Sequence, residues 1–221
     1  MNQTLQSAAR IAIVDDHGIV RFGYSQLINQ QPMMEVCGAA TGEQDGFELI
    51  KTQQPDLAII DLSLGHGDGL DLLRSLAEHA PKVKLLVISA HDERLFAHRV
   101  LAAGARGFIN KQEAPDKLIV GIQAILQDGF FFSEDVTRAM LSDRMGSTQP
   151  ASRQGIDSLT NRELQVFTQI GKGRNTREIA DGLYLSVKTI ERHKENIKRK
   201  LGLENATQLT CHATQWVLDQ G

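Results

Sequence analysis

The sequence predicts an α/β domain with a doubly wound parallel sheet, followed by a separate domain made only of helices. Short apolar segments alternate with amphipathic segments five times in the first part of the chain. Strict strand-helix alternation gives parallel strands joined by right-handed crossovers. Beyond residue 157 the apolar residues recur with helical spacing. A length of 221 residues accommodates two domains of unequal size.

The predicted strands are apolar runs with little alternation, as expected for strands covered by helices on both faces. For five such strands the common order is 2-1-3-4-5, with a switch point between strands 1 and 3. The predicted strands span residues 11–14, 34–40, 57–62, 84–90 and 107–111, and the helices that follow them span 18–30, 42–53, 68–79, 93–103 and 114–126.

A polar segment separates the two predicted domains. Residues 144–157 are rich in Gly, Ser, Thr, Gln and Arg and lack apolar periodicity, which is typical of a linker. A short helical pattern precedes this segment. We therefore predict one domain over residues 1–127, a linker with a short helix over 128–157, and a helical domain over 158–221.

The second domain is predicted to contain four helices. Thr160 and Glu163 have the spacing of a capping box at the start of the first helix. Two short helices across a tight turn, with the second one cationic, are the outline of a helix-turn-helix. The predicted helices span residues 160–171, 176–183, 187–201 and 206–218.

Composition and charge exclude several classes of protein. No segment approaches the roughly 20 apolar residues of a membrane helix, and the N-terminus lacks a signal peptide, so we expect a cytoplasmic protein without a membrane partner. Cys37 and Cys211 lie far apart, which indicates neither a disulfide framework nor a Cys/His metal site. From Ile156 onward ten Lys and Arg face eight Asp and Glu, whereas the part before it has fourteen against nineteen.

Acidic side chains follow strands 1 and 3, whose carboxyl ends meet at the switch point. Asp15 and Asp16 end strand 1, and Asp61 ends strand 3. Clustered carboxylates stay ionised when a cation lies among them, and Mg²⁺ prefers such oxygen ligands. Strands 4 and 5 end in Ser89 and Lys111, which are suited to bind phosphoryl oxygens. A single strand-end aspartate is usually a turn residue, but this combination predicts that Asp61 is the nucleophile toward a phosphoryl donor.

The helix predicted over residues 187–201 is a candidate DNA-binding element. Six Lys and Arg face two Glu between residues 187 and 200. Cations on the face opposite Ile190 and Ile197 would bind phosphates, and Arg192 would read guanine. Glu191 or Glu195 would accept a hydrogen bond from cytosine N4, or else form i,i+4 pairs and contact no base. The candidate DNA contacts are Thr176, Ser186, Lys188, Thr189, Glu191, Arg192, Glu195, Asn196 and Arg199.

These motifs resemble two families of bacterial domains, and together the resemblances cover nearly the whole chain. Residues 159–216 resemble the LuxR-type helix-turn-helix of the NarL/FixJ subfamily, notably at residues 159–163 and 185–193. The first domain resembles the receiver domain of two-component response regulators. The motifs that carry this resemblance are Val14-Asp15-Asp16-His17, Pro55-Asp56-Leu57, Asp61-Leu62-Ser63, Val87-Ile88-Ser89-Ala90 and residues 104–111.

The resemblance implies a flavodoxin-like receiver and a transcription regulator rather than a dedicated enzyme. It implies that a sensor histidine kinase phosphorylates Asp61, and that the protein binds double-stranded DNA and forms a homodimer when phosphorylated. Proline and tyrosine are common in the family where Gly65 and Phe108 stand here. The implied site residues are Asp16, Asp61 and the Ser63 carbonyl as Mg²⁺ ligands, Asp15 acting through water, Lys111 beside the phosphoryl group, and Ser89 with Phe108 as a switch pair.

Two other functions are alternatives to a phosphorylated regulator. A Mg²⁺-dependent phosphohydrolase also uses a strand-end aspartate, but such enzymes usually carry a second carboxylate two residues later, where this chain has Ser63. A DNA-binding protein whose receiver is only a phosphorylation-independent dimerisation unit is the other alternative. The complete set of strand-end residues favours the phosphorylated regulator over both.

Overall fold

The chain divides into two compact units, Met1–Leu141 and Ser142–Gly221. The structure, a computed structural model, describes residues 7–65, 67–144, 153–156 and 158–220. The division falls inside the segment predicted as a linker. No helix within the described ranges has the length and apolar character needed to cross a membrane.

A parallel sheet forms the centre of the first unit. Its order is 2-1-3-4-5, as predicted, so the chain reverses direction across the sheet between strands 1 and 3. Strands 3, 4 and 5 each end one or two residues earlier than predicted. The described strands of this sheet are β1 (Ala9–Val14), β2 (Met34–Ala40), β3 (Leu57–Ile60), β4 (Lys84–Ser89) and β5 (Gly107–Asn110).

Each strand of this sheet is followed by a helix. The apolar residues of these helices recur on one side, and that side packs on the sheet. Ile28 of the first helix and Leu118 and Ile122 of the fifth lie in one buried cluster with the apolar side chains of the strands. Asp68 and Asp92 cap the third and fourth helices through their carboxylates. The helices of this unit are α1 (Gly18–Asn29), α2 (Glu43–Gln53), α3 (Gly69–His79), α4 (Glu93–Ala102), α5 (Ala114–Leu126) and α6 (Glu134–Arg144).

The chain after β3 forms a short hairpin. Ser63–Leu64 pairs with Gly67–Asp68 in antiparallel fashion. Gly65 has φ +55°, in the left-handed region, which proline cannot adopt. This conformation explains why glycine rather than proline stands at that position.

The segment after α5 adds to the open edge of β5. The Phe108 N–H donates to the Phe131 carbonyl and the Phe131 N–H donates to the Arg106 carbonyl, both at 2.9 Å. Two residues later, the Ser133 N–H donates to Glu93 Oε1 of α4 at 2.8 Å. Residues 131–133 therefore pack with the first unit.

The second unit contains the four predicted helices and one short helix that was not predicted. Reciprocal bonds between Thr160 and Glu163 confirm the predicted capping box. A second capping box, between Asn175 and Glu178, begins the next helix. The long cationic helix ends at Gly202, whose φ of 66° suits a helix terminus. The helices are α7 (Arg153–Ile156), α8 (Asn161–Gly171), α9 (Thr176–Gly182), α10 (Val187–Leu201) and α11 (Ala206–Gln220).

A small apolar core joins these helices. Phe167 of α8 packs against Trp216 of α11, with ring centroids 5.6 Å apart. Ile190 and Ile197 turn the apolar side of α10 inward and are fully buried. The opposite side of α10, which carries most of its charged residues, remains at the surface.

Candidate functional site

The acidic site lies at the carboxyl ends of β1 and β3, which are neighbours in the sheet. Val14 pairs with Ile60 in the register of these strands, so the residues that follow them lie side by side. The carboxylates of Asp15, Asp16 and Asp61 and a ring nitrogen of His17 place one atom each within 4.8 Å of one another. The structure thus brings the three predicted aspartates together, and it adds His17.

Lys111 bridges two of the carboxylates. Its Nζ lies 2.7 Å from Asp61 Oδ2 and 2.8 Å from Asp15 Oδ2. The position of Lys111 is fixed by the end of β5, because its backbone N–H donates to the Ser89 carbonyl at 2.8 Å. Two anions thus share one ammonium, which leaves the site rich in negative charge.

Burial strongly affects the ionisation of this site. Asp61 is 2% exposed. Burial raises the pKa of its carboxyl group to about 6, although the Lys111 ammonium opposes that rise. Burial would lower the pKa of Lys111, but Asp61 and Asp15 outweigh it and raise that pKa above its usual value.

Two carboxylate oxygens in the site lack hydrogen bonds within the described part of the chain. Asp61 Oδ1 and Asp16 Oδ1 are both buried and unbonded. The Asp16 oxygen lies 2.6 Å from His17 Nδ1, which is an ion-pair distance. Buried oxygens without donors are costly, and a hard cation such as Mg²⁺ would satisfy them. The donor set therefore fits a divalent ion.

The loop after Asp61 is held by groups that the sequence analysis did not identify. The Ser63 hydroxyl lies 3.1 Å from His91 Nε2. Glu43 Oε2 on α2 accepts from the Asp68 N–H at 3.0 Å. These contacts connect the loop to two other elements of the unit, which fixes its path beside Asp61.

The proposed switch residues lie on adjacent strands. Ser89 ends β4 and is fully buried, and its Oγ accepts from the His91 N–H at 3.5 Å. Phe108 lies on β5 beside Val87 of β4 and is 2% exposed. Both side chains are therefore inside the unit, next to the end of the sheet that carries the aspartates.

The charged residues of α10 fall into two groups. Lys188 and Arg192 are exposed, and no ion pair of either is found among the described residues. Glu195 pairs with Lys198 at 2.9 Å, and Arg199 donates to Asn196 Oδ1 at 2.9 Å. Lys188 and Arg192 are therefore the residues of this helix that are best placed to contact an external anion.

Ser186 and Thr189 begin α10. The Thr189 N–H donates to Ser186 Oγ at 3.0 Å, and the two hydroxyls are 2.8 Å apart. Ser186 is thus the N-cap of the helix. Thr176 and Glu191, the remaining candidates, contact each other across α9 and α10 at 2.9 Å.

Comparison with known families decides the identity of the chain. The response regulator receiver domain family matches residues 11–123, and the luxR family of bacterial regulatory proteins matches residues 157–213. The chain belongs to the NarL/FixJ-type response regulators. It is 31% identical over 208 residues to the oxygen regulatory protein NreC of Staphylococcus aureus, an alignment covering 92% of this chain and 96% of NreC.

Solved structures agree with this assignment. RcsB from Salmonella typhimurium is 26% identical, with 95% of this chain and 99% of that chain covered and a TM-score of 0.56. A LuxR-family response regulator from Aurantimonas is 31% identical and covers 63% of this chain and all of its own, with a TM-score of 0.58. The chain is thus a DNA-binding response regulator, and its family consists of transcription regulators.

Several residues that support the site of this response regulator had no clear signal in the sequence. His17 follows the two aspartates directly, so its position was available, but a lone histidine does not indicate a ligand. Glu43 and His91 come from a helix and a loop that are distant in sequence from Asp61. Only the folded chain brings them to the loop after Asp61.

Proposed function

We propose that this response regulator is switched by phosphorylation of Asp61 by a sensor histidine kinase, and that the switch controls DNA binding. One observation carries the proposal. A buried aspartate with an unbonded oxygen lies against Lys111 and two further carboxylates, in a site whose oxygens fit a divalent ion. A buried carboxylate oxygen without a hydrogen bond has its lone pairs available for a metal ion or for attack on phosphorus.

In this proposal Mg²⁺ is the cofactor. Asp16, Asp61 and the Ser63 carbonyl would hold it, with Asp15 acting through water. When bound, the ion neutralises the carboxylates and the incoming phosphoryl oxygens. Asp61 attacks phosphorus with a carboxylate oxygen, the bond from phosphorus to the donor breaks, and the ammonium of Lys111 binds a phosphoryl oxygen.

The response to phosphorylation is assigned to Ser89 and Phe108. The Ser89 hydroxyl donates to a phosphoryl oxygen when Asp61 is modified. The Phe108 ring then turns into the volume that Ser89 vacates. Because Phe108 lies on β5, such a movement changes the surface formed by β5 and its flanking helices. This change favours a homodimer.

DNA binding is assigned to the helix-turn-helix of the second unit. RcsB has been solved as dimers on DNA, and on a promoter with the phosphomimetic BeF3⁻. By analogy, this protein binds double-stranded DNA as a dimer through α10, with residues 1–127 as receiver, 158–221 as DNA-binding domain and 128–157 as connector. The proposed DNA contacts are Thr176, Ser186, Lys188, Thr189, Glu191, Arg192, Glu195, Asn196 and Arg199.

The test is phosphorylation by a small-molecule phosphodonor with Mg²⁺, followed by DNA binding. We expect the wild-type chain to be labelled and Asp61→Ala to remain unlabelled, because the substitution removes the nucleophile. Asp71→Ala is the control, since Asp71 is an exposed aspartate paired with Arg74. It should be labelled as the wild type is.

Equal labelling of the wild type and Asp61→Ala would refute the assignment of Asp61. Labelling of the wild type without any change in DNA affinity would instead support a receiver that acts independently of phosphorylation. The proposal requires both labelling at Asp61 and a change in DNA affinity that the alanine variant lacks.

A further inference from the structure

Glu191 on α10 is engaged by a pair of donors from two helices. Its Oε1 accepts from the Thr176 hydroxyl of α9 at 2.9 Å and from Lys194 Nζ at 3.0 Å. Lys194 Nζ also donates to Thr176 Oγ1 at 3.2 Å. The three side chains thus form a closed triangle on the side of the unit where α9 and α10 meet.

The triangle presents the donor chemistry that binds a phosphate oxygen. A hydroxyl and an ammonium converge on one anionic oxygen, which is how proteins commonly contact the DNA backbone. The Lys194 hydrogen bond lowers the pKa of Glu191, with Thr176 adding to this effect. Glu191 is therefore an ionised carboxylate at neutral pH, and its oxygen lies where these two donors would otherwise bind a phosphate oxygen.

A second acidic residue on the same helix provides the comparison. Glu195 pairs with Lys198 at 2.9 Å with the same spacing along α10 as Glu191 and Lys194. No bond from Glu195 to α9 is found within the described residues. Glu191 therefore differs from Glu195 in binding a hydroxyl on the neighbouring helix, and not in its charge.

We propose that Glu191 is an internal substitute for a DNA phosphate, which keeps Thr176 and Lys194 from binding the backbone of DNA that lacks the operator sequence. The inference rests on the proposed function of α10 in DNA binding. On an operator, a base with an exocyclic amino group donates a hydrogen bond to the Glu191 carboxylate. Thr176 and Lys194 are then released and bind a phosphate, so affinity rises where the sequence is correct.

The physical consequence is a specificity device. On mixed-sequence DNA the charge of Lys194 is already neutralised, so it releases no counterion from the duplex. Lys194 therefore makes no phosphate contact on such DNA. Nonspecific affinity and its salt dependence are lower than they would be if Lys194 also bound a phosphate. Removing the Glu191 charge should therefore strengthen nonspecific binding and reduce discrimination.

The experiment measures binding of the full chain to a mixed-sequence DNA duplex across a range of salt concentrations. Glu191→Gln retains an acceptor for Thr176 and removes the charge. We expect this variant to bind more tightly and its plot of log affinity against log salt to steepen by about 1. Glu204→Gln makes the same change in net charge at an exposed glutamate that has no ion pair among the described residues, so it releases no cation and should leave the slope near that of the wild type.

A double variant identifies the cation responsible. In Glu191→Gln/Lys194→Gln no ammonium is released, so we expect the slope to return to the wild-type value. Persistence of the steeper slope in this double variant would overturn the inference. Equal slope changes in Glu191→Gln and Glu204→Gln would also overturn it, because net charge alone would then account for the effect.

Two further outcomes separate this inference from the proposed function. If Glu191→Gln weakens binding and lowers the thermal midpoint, then Glu191 is only a link between helices and the inference is wrong, while DNA binding stands. If the wild-type chain binds no duplex under conditions in which it is folded, the proposed function fails and the inference fails with it.

Discussion

Gly69 determines how closely α3 approaches the chain that carries Asp61. A Cβ at this position would lie against the Asp61 carbonyl oxygen and 2.6 Å from the Leu62 Cα. Both of these atoms belong to the backbone, so neither moves without displacing the end of β3. The Gly69 N–H also donates to the Leu62 carbonyl at 3.2 Å. The absence of a side chain at Gly69 therefore positions Asp61.

We expect Gly69→Ala to reduce the free energy of unfolding by about 1–3 kcal/mol, the usual cost of overpacking. Labelling of Asp61 by a phosphodonor should fall as well. Gly23→Ala is the control, because a Cβ at this position in α1 meets nothing within 4 Å. It should be neutral or stabilising by up to about 1 kcal/mol. Equal losses in the two variants in urea unfolding would contradict this explanation.

Glu163 links the stability of the second unit to pH. It is 3% exposed and pairs with Lys200 at 2.6 Å. Burial alone would raise its pKa, but the bonds to Lys200 and to the Thr160 N–H outweigh it, so the pKa lies below its usual value of 4.5. The folded state therefore binds fewer protons than the unfolded chain does in the interval below that value.

The stabilisation by Glu163 should be complete above pH 4.5 and be lost as the pH falls through the lower pKa of the folded state. In Glu163→Gln this part of the pH dependence should disappear. The measurement is the unfolding free energy of both proteins between neutral and acidic pH. Parallel curves for the two proteins would show that Glu163 is not the titrating group.

Individual residues of the acidic site were predictable to different degrees. The positions of Asp15, Asp61 and Lys111 follow from the rule that carboxyl ends of parallel strands share one edge of a sheet. Gly69 was not predicted as a functional residue, because its effect depends on the distance between α3 and the backbone after β3, which no local pattern encodes. For Glu191 the sequence offered ion pairs at a spacing of four residues as the alternative to a base contact, whereas Lys194 lies three residues away, and the contact with Thr176 was not predicted.

At the level of elements, β5 and the segment after α5 form a single structural element. Phe131 bonds to the backbone on both sides of Gly107, and Ser133 is bound to α4 by Glu93. Val136 donates to the Ser133 hydroxyl at 3.4 Å at the start of α6. The strand that carries Phe108 is thus connected through backbone hydrogen bonds to the start of α6.

Glu93→Ala should loosen this connection. The Ser133 N–H loses its acceptor, so we expect faster hydrogen exchange at Ser133 and a loss of about 1 kcal/mol in unfolding free energy. Asp116→Ala is the control, since Asp116 also lies in the first turn of its helix and affects the helix dipole similarly. Unchanged exchange at Ser133 in Glu93→Ala would contradict a restraining role.

The regular elements were predictable, and the irregular ones were not. The strands are clear apolar runs, and most helices carry clear apolar periodicity. The order of the sheet and the helix-turn-helix were therefore both predicted correctly. The hairpin at Ser63–Leu64 is too short to show a pattern, and α7 has only four residues. The pairing of Phe131 depends on a strand edge that is distant in sequence, so aromatic composition alone does not predict it.

At the level of the whole molecule, charge is distributed unequally along the chain. The residues before Ile156 carry a formal charge of −5, and those from Ile156 onward carry +2. A phosphoryl group on Asp61 would carry about −1.5 to −2 charges and would replace the single charge of the ionised carboxylate, so the acidic part would gain about one negative charge at most. Electrostatic attraction to DNA therefore arises from the second unit, and the first unit has to act through its shape or its self-association.

Phe131 also determines where the receiver can be cut. A fragment that ends at residue 127 exposes the Arg106 carbonyl and the Phe108 N–H along an unprotected strand, and such strands recruit one another. In sedimentation, this fragment should aggregate as its concentration rises, whereas one ending at residue 141 should stay monomeric without phosphodonor. Identical behaviour of the two fragments would mean that residues 128–141 are not needed to protect the edge of β5. Otherwise, the smallest well-behaved receiver of this chain includes residues that appear from the sequence to be a connector.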